Sequence, residues 1–555
     1  MADTVPTGAI TVTHNSSEIG PFYGLDSTQN GSGVSSITTN ITEGANLEKS
    51  LAGGLEFNHK TLENGYYADT DGVTLKDGVI INMTGGTATS LKGGNCINTS
   101  SYLDEILETL GDAVNVGSIE INVSGGTLGV AGSGAEEAIM GGGGRHCGTA
   151  ADGGIEVNIS GGTINNKVYA GTNGGSTGYT KLNISGGTIN ADVYGGGRKD
   201  YGVVLKDSTV TISGGTINGN VYAAGDQDTV KGNATVNITG DGVKLDNIVS
   251  GTGTNGSKVL GETKLLIDGE SSLGQVKDFE FILVRANTEI GSIENAADGT
   301  LLKNQRTLTV KNDLSVKTYQ ALSSSVGSSQ LKVGGNMTVD SLTATVSNAE
   351  VAVGGKLTVN TGQVTNATIT ADNIEVNGSF NLKSAVVGGH SDGVESLITV
   401  SETGNLTLDG GSQVEDITVD GGKLTVMKDS SVKTGSITLN EGSELYFDLA
   451  INYRTELPTA TIDLGENDLF IGNDVTITVA AIDMSKFDDT EVVLFKNIGD
   501  MNVSNLTVKF TDRNVAYDAI VSVRDGKVVA IIPEPTTATM SLLALAALAA
   551  RRRRH

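Results

Sequence analysis

The stretch Val157-Asn158-Ile159-Ser160-Gly161-Gly162-Thr163-Ile164-Asn165 decides the fold, because it recurs along the first half of the chain. Complete or degenerate copies occupy residues 81–87, 121–127, 182–190, 210–218 and 236–240. The Ser or Thr before the glycines stands at positions 84, 124, 160, 185, 213 and 239, so successive copies are 40, 36, 25, 28 and 26 residues apart. A unit repeated at such a period is typical of solenoid proteins.

Within one copy, aliphatic and polar residues alternate, which is the pattern of a β-strand with one buried face. Alternation places Val157 and Ile159 on one face and Asn158 and Ser160 on the other. The pair Gly161-Gly162 supplies the positive φ that a sharp corner requires. We therefore predict that one copy is a strand, a corner, a second strand and a glycine-rich loop, together forming one coil of a parallel β-solenoid.

The second half of the copies also repeats, as Val168-Tyr169, Val193-Tyr194 and Val221-Tyr222. One coil cannot bury its own apolar edge, so stacked coils are expected to share one continuous narrow core. This expectation explains the composition of the 555 residues: 77 glycines turn corners, hydrophobic residues make up only 37%, and tryptophan is absent.

A second repeat family follows, with the same alternation around a glycine pair. Its copies occupy residues 333–339, 353–359, 376–382, 402–408 and 420–426. Their corner glycines are 20, 23, 26 and 18 residues apart. If residues 81–450 form one solenoid, roughly 16 coils at ~4.8 Å each give a rod of roughly 75 Å. The pattern resembles the passenger regions of autotransporter-type surface proteins.

The predicted fold class is all-β: a parallel β-helix, or β-solenoid, with a C-terminal β cap and a short C-terminal hydrophobic helix. The expected segments are a β cap or leading coils at 1–80, SGGT coils at 81–260, transitional coils at 261–330, GG-x-L-T-V coils at 331–450, the β cap at 451–532 and a terminal segment at 533–555. A hairpin turn is expected at Arg524-Asp525-Gly526-Lys527, and an inserted amphipathic helix over residues 101–111.

Charge excludes several classes of partner. Lys and Arg total 37 and Asp and Glu total 64, which gives a net charge of −27. Such acidity argues against nucleic acid and against an anionic membrane surface as partners. Glycine without a three-residue period excludes collagen, and a charged fraction of 18% does not fit charge-driven disorder.

The last 23 residues differ from the rest of the chain. Pro533-Glu534-Pro535 precedes an apolar run of 11 residues, 540–550, and the chain ends in Arg551-Arg552-Arg553-Arg554-His555. The apolar run is shorter than the ~20 residues that cross a bilayer comfortably, and the arginines favour the cytoplasmic side. We expect a tail that halts export while the preceding chain lies outside.

These residues resemble a PEP-CTERM sorting signal, in the Pro-Glu-Pro motif, the short hydrophobic helix and the arginine cluster. The resemblance covers residues 533–555 only. It implies export to the cell surface, outer membrane or extracellular space, a transient anchor in the inner membrane, and processing by an exosortase. It also implies a sorting role for Pro533, Glu534, Pro535 and Arg551, Arg552, Arg553 and Arg554. No signal peptide is seen, and residues 1–6 resemble a mature terminus after cleavage.

Few residues suggest chemistry. The five histidines form no ligand-spaced pair, so we expect no metal and no cofactor. Cys96 and Cys147 stand in glycine-rich loops of different copies, which favours ordinary loop cysteines. A disulfide between Cys96 and Cys147 after export is the alternative that stays open.

The expected function is therefore structural or adhesin-like and non-enzymatic, with extracellular polysaccharide or host glycans as partners. The alternative is a carbohydrate-active β-helix enzyme, a polysaccharide lyase or glycoside hydrolase. The sites of such enzymes cluster carboxylates with Arg or Lys on neighbouring coils. A lesser alternative is ice binding, since the same tail is also known as an ice-binding protein C-terminal domain. Ice binding would need two threonines per coil on a flat face, whereas the repeat gives Thr-Ile-Asn.

Overall fold

Every regular element among the described residues of the computed structural model is a β-strand. The structure describes residues 7–18, 22–25, 33–58, 73–98, 115–129, 136–143, 147–198, 202–251, 256–294, 299–323, 327–449, 459–480, 490–503, 506–512 and 515–532. None of these residues belongs to a helix that could span a membrane. The chain forms two compact units, residues 1–302 and 303–555, and the strand Leu301–Asn304 contains their boundary.

In the first unit, each strand pairs in parallel with the equivalent strand of the next coil. A set of strands that pair in this way in successive coils is called a row. Row A carries the longer strands: Thr7–His14, Gly33–Ile41, Gly78–Met83, Ile119–Val123, Gly154–Ile159, Tyr179–Ile184, Ser208–Ile212, Ala234–Ile238, Thr263–Ile267 and Phe281–Val284. Row B follows the glycine corner: Ser17–Glu18, Asn46–Leu47, Thr87–Ala88, Thr127–Leu128, Thr163–Ile164, Thr188–Ile189 and Thr216–Ile217.

Two further rows complete the coils of the first unit. Row C contains Phe22–Leu25, Leu51–Asn58, Leu91–Lys92, Glu137–Met140, Lys167–Tyr169, Val193–Tyr194, Val221–Tyr222, Val243–Val249, Ser271–Lys277 and Thr288–Glu294, and Cys96–Asn98 also pairs with Leu51–Asn58. Row D contains Ser176–Thr177, Val203–Val204, Thr229–Val230 and Lys258–Val259, and a separate pair joins Val73–Thr74 to Asn115–Val116.

The glycine pair makes the corner between rows A and B for two different reasons. Gly162 adopts φ of 80°, a conformation that costs a residue with a side chain. Gly161 instead lies against the preceding coil, where a Cβ atom would come within 2.2 Å of the Ser124 carbonyl oxygen. Positive φ and close approach therefore both select glycine at this corner.

The core of the first unit is a narrow aliphatic column. Val157, Ile159, Ile164 and Val168 point inward from three successive strands of one coil, and each is at most 1% exposed. Their equivalents in the next coil occupy the same register, as in the pairing of Val157 with Leu182 and Ile159 with Ile184. Stacking therefore buries the aliphatic side chains that a single coil would leave exposed to solvent. The predicted parallel β-solenoid is thus confirmed.

The second unit has three rows, E, F and G, again parallel. Four strands turn corners and serve more than one row: Leu314–Ala321, Met337–Ala344, Glu350–Thr365 and Thr368–Val376. Row E adds Thr307–Val310, Gln330–Val333, Val386–Gly388, Ser430–Lys433, Ala460–Asp463 and Glu491–Lys496. Row F adds Leu397–Val400, Asp416–Val419, Ile437–Leu439, Leu469–Ile471 and Met501–Val503. Row G adds Ser379–Lys383, Asn405–Asp409, Lys423–Met427, Glu444–Asp448, Thr476–Ala480 and Val508–Asp512.

Antiparallel strands close the C-terminal end of the second unit. Val515–Asp518 pairs with Val508–Asp512, while Lys527–Ile531 pairs with both Ile520–Arg524 and Glu491–Lys496. The hairpin turn predicted from the sequence is confirmed, because Arg524 pairs with Lys527 across Asp525 and Gly526, which both have positive φ. Closure by antiparallel strands covers the strand edges that a parallel stack would otherwise leave open.

Candidate functional site

The sorting residues inferred from the sequence, Pro533, Glu534, Pro535 and Arg551–Arg554, lie outside the described residues, as does the helix expected over residues 101–111. Cys147 is buried. A Cβ atom at Gly143 would contact both the Cys147 side chain and the Asn95 backbone, so the chain next to Cys96 approaches Cys147. The disulfide between Cys96 and Cys147 stays a prediction.

The outward face of row A carries an asparagine ladder. Asn40, Asn82, Asn122, Asn158 and Asn183 occupy one register position in five consecutive coils. Each Nδ2 donates to the Oδ1 of the preceding asparagine, over distances of 2.8–3.0 Å. Because an amide has two N–H donors and two acceptor lone pairs, each member keeps hydrogen-bonding capacity for a ligand.

Hydroxyl groups run beside this ladder. Ser or Thr stands two residues after each ladder position, and the hydroxyls of Thr84 and Ser124 donate to the backbone carbonyls of Ile41 and Met83 in the preceding coil. We call the asparagine ladder and these hydroxyls, from Asn40 to Ser185, the polar strip. The strip presents amide and hydroxyl groups at each coil, with repeat distances of about 4.8 Å.

Row B shows a second regular array around the corner. Five threonines occupy one outward column in consecutive coils: Thr87, Thr127, Thr163, Thr188 and Thr216. Beside them, Asn190 donates to Asn165 at 2.9 Å and Asn218 donates to Asn190 at 2.8 Å. Row B therefore carries one threonine column beside an asparagine ladder, which differs from the two threonines per coil that ice binding is expected to need.

The ladder makes a testable contribution to stability. In the variant Asn158→Asp, the side chain loses its donor to Asn122 and brings a carboxylate against the Asn122 oxygen. Leaving such a group unpaired costs about 2 kcal/mol of unfolding free energy, measurable by urea titration at pH 7. The control is Asn237→Asp, since Asn237 has Thr211 and Leu266 as its neighbours in the column. Equal losses in the two variants would contradict a stabilising ladder.

A column of stacked tyrosines lies in row C. The rings of Tyr169 and Tyr194 are 4.5 Å apart with an interplanar angle of 10°, and those of Tyr194 and Tyr222 are 4.6 Å apart at 4°. Met140 and Val249 lie in the same cluster, and all five side chains are at most 7% exposed. The stack follows from the parallel register, which pairs Tyr169 with Tyr194 and Tyr194 with Tyr222.

Carboxylates surround the hydroxyl ends of these tyrosines. The Tyr169 hydroxyl donates to Asp226 Oδ2 at 3.4 Å, and the Tyr194 hydroxyl donates to Asp192 Oδ2 at 3.3 Å. Burial raises the pKa of Tyr169, and the negative charges of Asp226, Glu137 and Asp192 raise this pKa further. Tyr169 therefore remains a protonated hydrogen-bond donor at neutral pH.

Arg198 joins this cluster from a loop. Its guanidinium forms ion pairs with Glu136 and, at 3.1 Å, with Glu137, and Lys92 lies 3.8 Å from Glu137. The Arg198 and Glu137 side chains are 20% and 13% exposed. Residues 61 positions apart in sequence thus form an ion pair, and the negative charge of Glu137 is one of those that raise the Tyr169 pKa. We call Glu137, Tyr169, Arg198 and Asp226 the tyrosine–carboxylate cluster.

Asp228 is a buried carboxylate close to the same loops. It is 2% exposed, and its oxygens accept hydrogen bonds from the backbone N–H groups of Gly197 at 2.8 Å and Gly225 at 3.0 Å. Burial raises the pKa of Asp228 to about 6, and these hydrogen bonds only partly oppose the shift. Through these hydrogen bonds, the buried side chain links the glycine-rich loops of two adjacent coils.

The raised pKa of Asp228 predicts a pH-dependent stability. Its folded-state value of about 6 exceeds the ordinary 3.8, so the stability that protonation contributes is complete below pH 4 and is lost as the pH rises through 6. Two pKa units correspond to about 3 kcal/mol. The unfolding free energy of wild type minus that of Asp228→Asn, measured by urea titration, should therefore fall by about 2 kcal/mol from pH 4 to pH 7. A difference that does not change with pH would contradict this assignment.

Sequence reasoning missed the tyrosine–carboxylate cluster. The recurring Val-Tyr pairs at 168–169, 193–194 and 221–222 were a usable signal, because equal positions in successive coils must stack. Arg198 and Glu137 carried no periodic signal, since Arg198 stands in a loop and the equivalent position to Glu137 in the next coil is Lys167. Among the described residues, no group of three or more His, Cys, Asp or Glu side chains could hold a metal ion. The chain matches no family model and no curated protein.

Proposed function

We propose that the chain is an exported structural or adhesin-like protein of the cell surface or extracellular matrix, sorted through its C-terminal tail and acting without catalysis. The tail resembles a sorting signal at residues 533–555. The observation that carries the proposal is the polar strip, which repeats one set of amide and hydroxyl groups over five coils.

A repeating polar strip suits a repeating ligand. A polysaccharide lying along the strip meets the same donors and acceptors at each coil, so individually weak hydrogen bonds act together. Uncharged amides and hydroxyls also avoid the repulsion that a net charge of −27 exerts on acidic partners. The partners proposed are therefore extracellular polysaccharide or host glycans, and the membrane is involved only through the tail.

Binding to the polar strip has a direct test. Ser185 is exposed on row A, so Ser185→Glu adds bulk and charge to the strip without entering the core. We expect this variant to bind a polysaccharide selected on a glycan array at least tenfold more weakly than wild type. The control is Thr338→Glu, at an exposed position of row F. Equal binding by wild type and both variants would exclude the strip as the contact surface.

Sorting is tested separately by cell fractionation. Replacing Pro533, Glu534 and Pro535 with alanine should retain the protein in the membrane fraction or the cytoplasm, because the motif for exosortase processing is lost. Replacing Arg524, an arginine of the described hairpin, with glutamine serves as the control. Identical distributions of wild type and the tail variant would contradict the sorting role.

A second candidate is a carbohydrate-active enzyme, because the tyrosine–carboxylate cluster combines Arg198, Glu137, Tyr169 and Asp226 on neighbouring coils. Its carboxyl groups, Glu137 and Asp226, are the kind of side chain that such enzymes use for acid–base catalysis, a role that typically contributes 10²–10⁴-fold to a rate. A reducing-sugar assay on acidic and neutral polysaccharides distinguishes the candidates. Turnover by wild type that falls by at least about 100-fold in Glu137→Gln would replace the non-enzymatic proposal.

A further inference from the structure

A cavity of about 520 Å³ opens on row E of the second unit. It lies among the strands Ser430–Lys433, Ala460–Asp463 and Glu491–Lys496. Its described lining includes Ser431, Thr461, Thr490, Glu491, Lys496 and Lys527. The volume falls in the range of about 300–1,000 Å³ that is usual for small-molecule sites.

The cavity exists because two strands of the row diverge. Ala460–Asp463 pairs with Ser430–Lys433 at all four residues. On its other side it pairs with Glu491–Lys496 only through Ile462 and Asp463. At the open end, the Thr461 hydroxyl donates to the Val493 carbonyl at 2.9 Å. Glu491, Val492 and Val493 instead pair with the antiparallel strand Lys527–Ile531. The gap therefore arises where antiparallel strands close the C-terminal end of the unit.

The lining combines hydroxyls with an excess of positive charge. Lys496 pairs with Asp463 at 3.2 Å, and Arg524 pairs with Glu491. Lys527 makes no ion pair among the residues that the structure describes. Among the described lining residues, Lys496 and Lys527 against Glu491 leave one positive charge, in a chain whose net charge is −27. This local reversal of sign favours an anionic ligand.

The other lining groups narrow the class of anion. Ser431, Thr461 and Thr490 offer hydroxyls, and Glu491 offers an acceptor, which together match a ligand with several hydroxyl groups of its own. Among the described lining residues none is aromatic, so a neutral sugar would lack a ring on which to stack. A small polyhydroxylated carboxylate satisfies both the charge and the hydrogen-bonding groups.

We propose that this cavity binds a uronic acid unit of an acidic oligosaccharide, with the carboxylate at Lys527 and the sugar hydroxyls at Thr461, Thr490 and Glu491. The inference rests on the proposed function, in which the chain contacts extracellular polysaccharide, and it names one class of that ligand. The site is separate from the polar strip, which belongs to the first unit.

The experiment is calorimetric titration of the full chain with a trigalacturonate, using maltotriose and triglutamate as probes of the same length. We expect binding of trigalacturonate and at least tenfold weaker binding by Lys527→Gln, because a hydrogen bond to a charged group is lost. Thr461→Val should also weaken binding. The control Lys509→Gln changes an exposed lysine of row G and should bind like wild type.

Several outcomes would overturn the assignment. These are no binding by wild type, equal weakening by Lys527→Gln and Lys509→Gln, or triglutamate binding as tight as trigalacturonate. The proposed function fails differently, through retention of the chain inside the cell. If the purified chain binds trigalacturonate at Lys527, the assignment of the site stands even when cell fractionation contradicts export.

Discussion

Replacing Tyr194 with alanine should lower the unfolding free energy of the first unit by about 4 kcal/mol, the usual cost of removing a large buried ring. Tyr194 is 3% exposed and stacks on Tyr169 on one side and Tyr222 on the other. The substitution therefore removes two ring contacts and opens a cavity between coils. Amide hydrogen exchange should be faster than in wild type for the strands between Val168 and Val221, because these strands open more readily once the ring contacts are lost.

The matched control is Tyr194→Phe, which keeps both stacks and removes only the hydrogen bond from the hydroxyl to Asp192. We expect a loss of about 1 kcal/mol for this variant. If both variants lost the same amount, the hydroxyl rather than the stack would hold the coils together. If neither lost stability, the tyrosine column would have no structural role.

The second large effect is expected at Gly161. A Cβ atom there would come within 2.2 Å of the Ser124 carbonyl oxygen in the preceding coil, and backbone cannot move aside without separating the coils. We expect Gly161→Ala to cost about 3 kcal/mol of unfolding free energy, measured by urea titration.

Two further glycines allow the energetic cost of close contact with the preceding coil to be distinguished from the cost of backbone strain. Gly162 has φ of 80° and neighbours from the preceding coil, whereas Gly242 has φ of 77° and nothing within 4 Å of an added Cβ atom. Gly242→Ala should therefore report strain alone, at about 1 kcal/mol. A loss at Gly161 no larger than the loss at Gly242 would contradict the tight contact between coils.

The fold of the first unit could be predicted because its signals are local. Alternation in residues 157–159 specifies a strand, and Gly161-Gly162 specifies a corner, without knowledge of any other coil. The period then gives the stacking. The tyrosine column was harder to predict, because it depends on the register between coils and on burial of both ring faces. The Arg198–Glu137 pair joins segments 61 residues apart and had no pattern in the sequence.

In the second unit, the regularly spaced glycines do not all form corners. Gly354 and Gly355 do not have positive φ, and the strand Glu350–Thr365 continues through them while serving three rows. Glycine is needed there because added Cβ atoms would come within 2.6 Å of the Gly334 carbonyl oxygen and 2.5 Å of Asn336 Oδ1. The cavity near Lys527 was likewise invisible in the sequence, since it arises where pairing changes from parallel to antiparallel.

We propose above all that this chain works outside the cell after its tail has been processed. The most direct measurement labels intact cells with an amine reagent that does not cross membranes, and then determines the intact mass of the recovered protein. We expect labelled protein whose mass lacks Arg551, Arg552, Arg553 and Arg554. Unlabelled protein recovered from the cytoplasm with all four arginines present would contradict the claim.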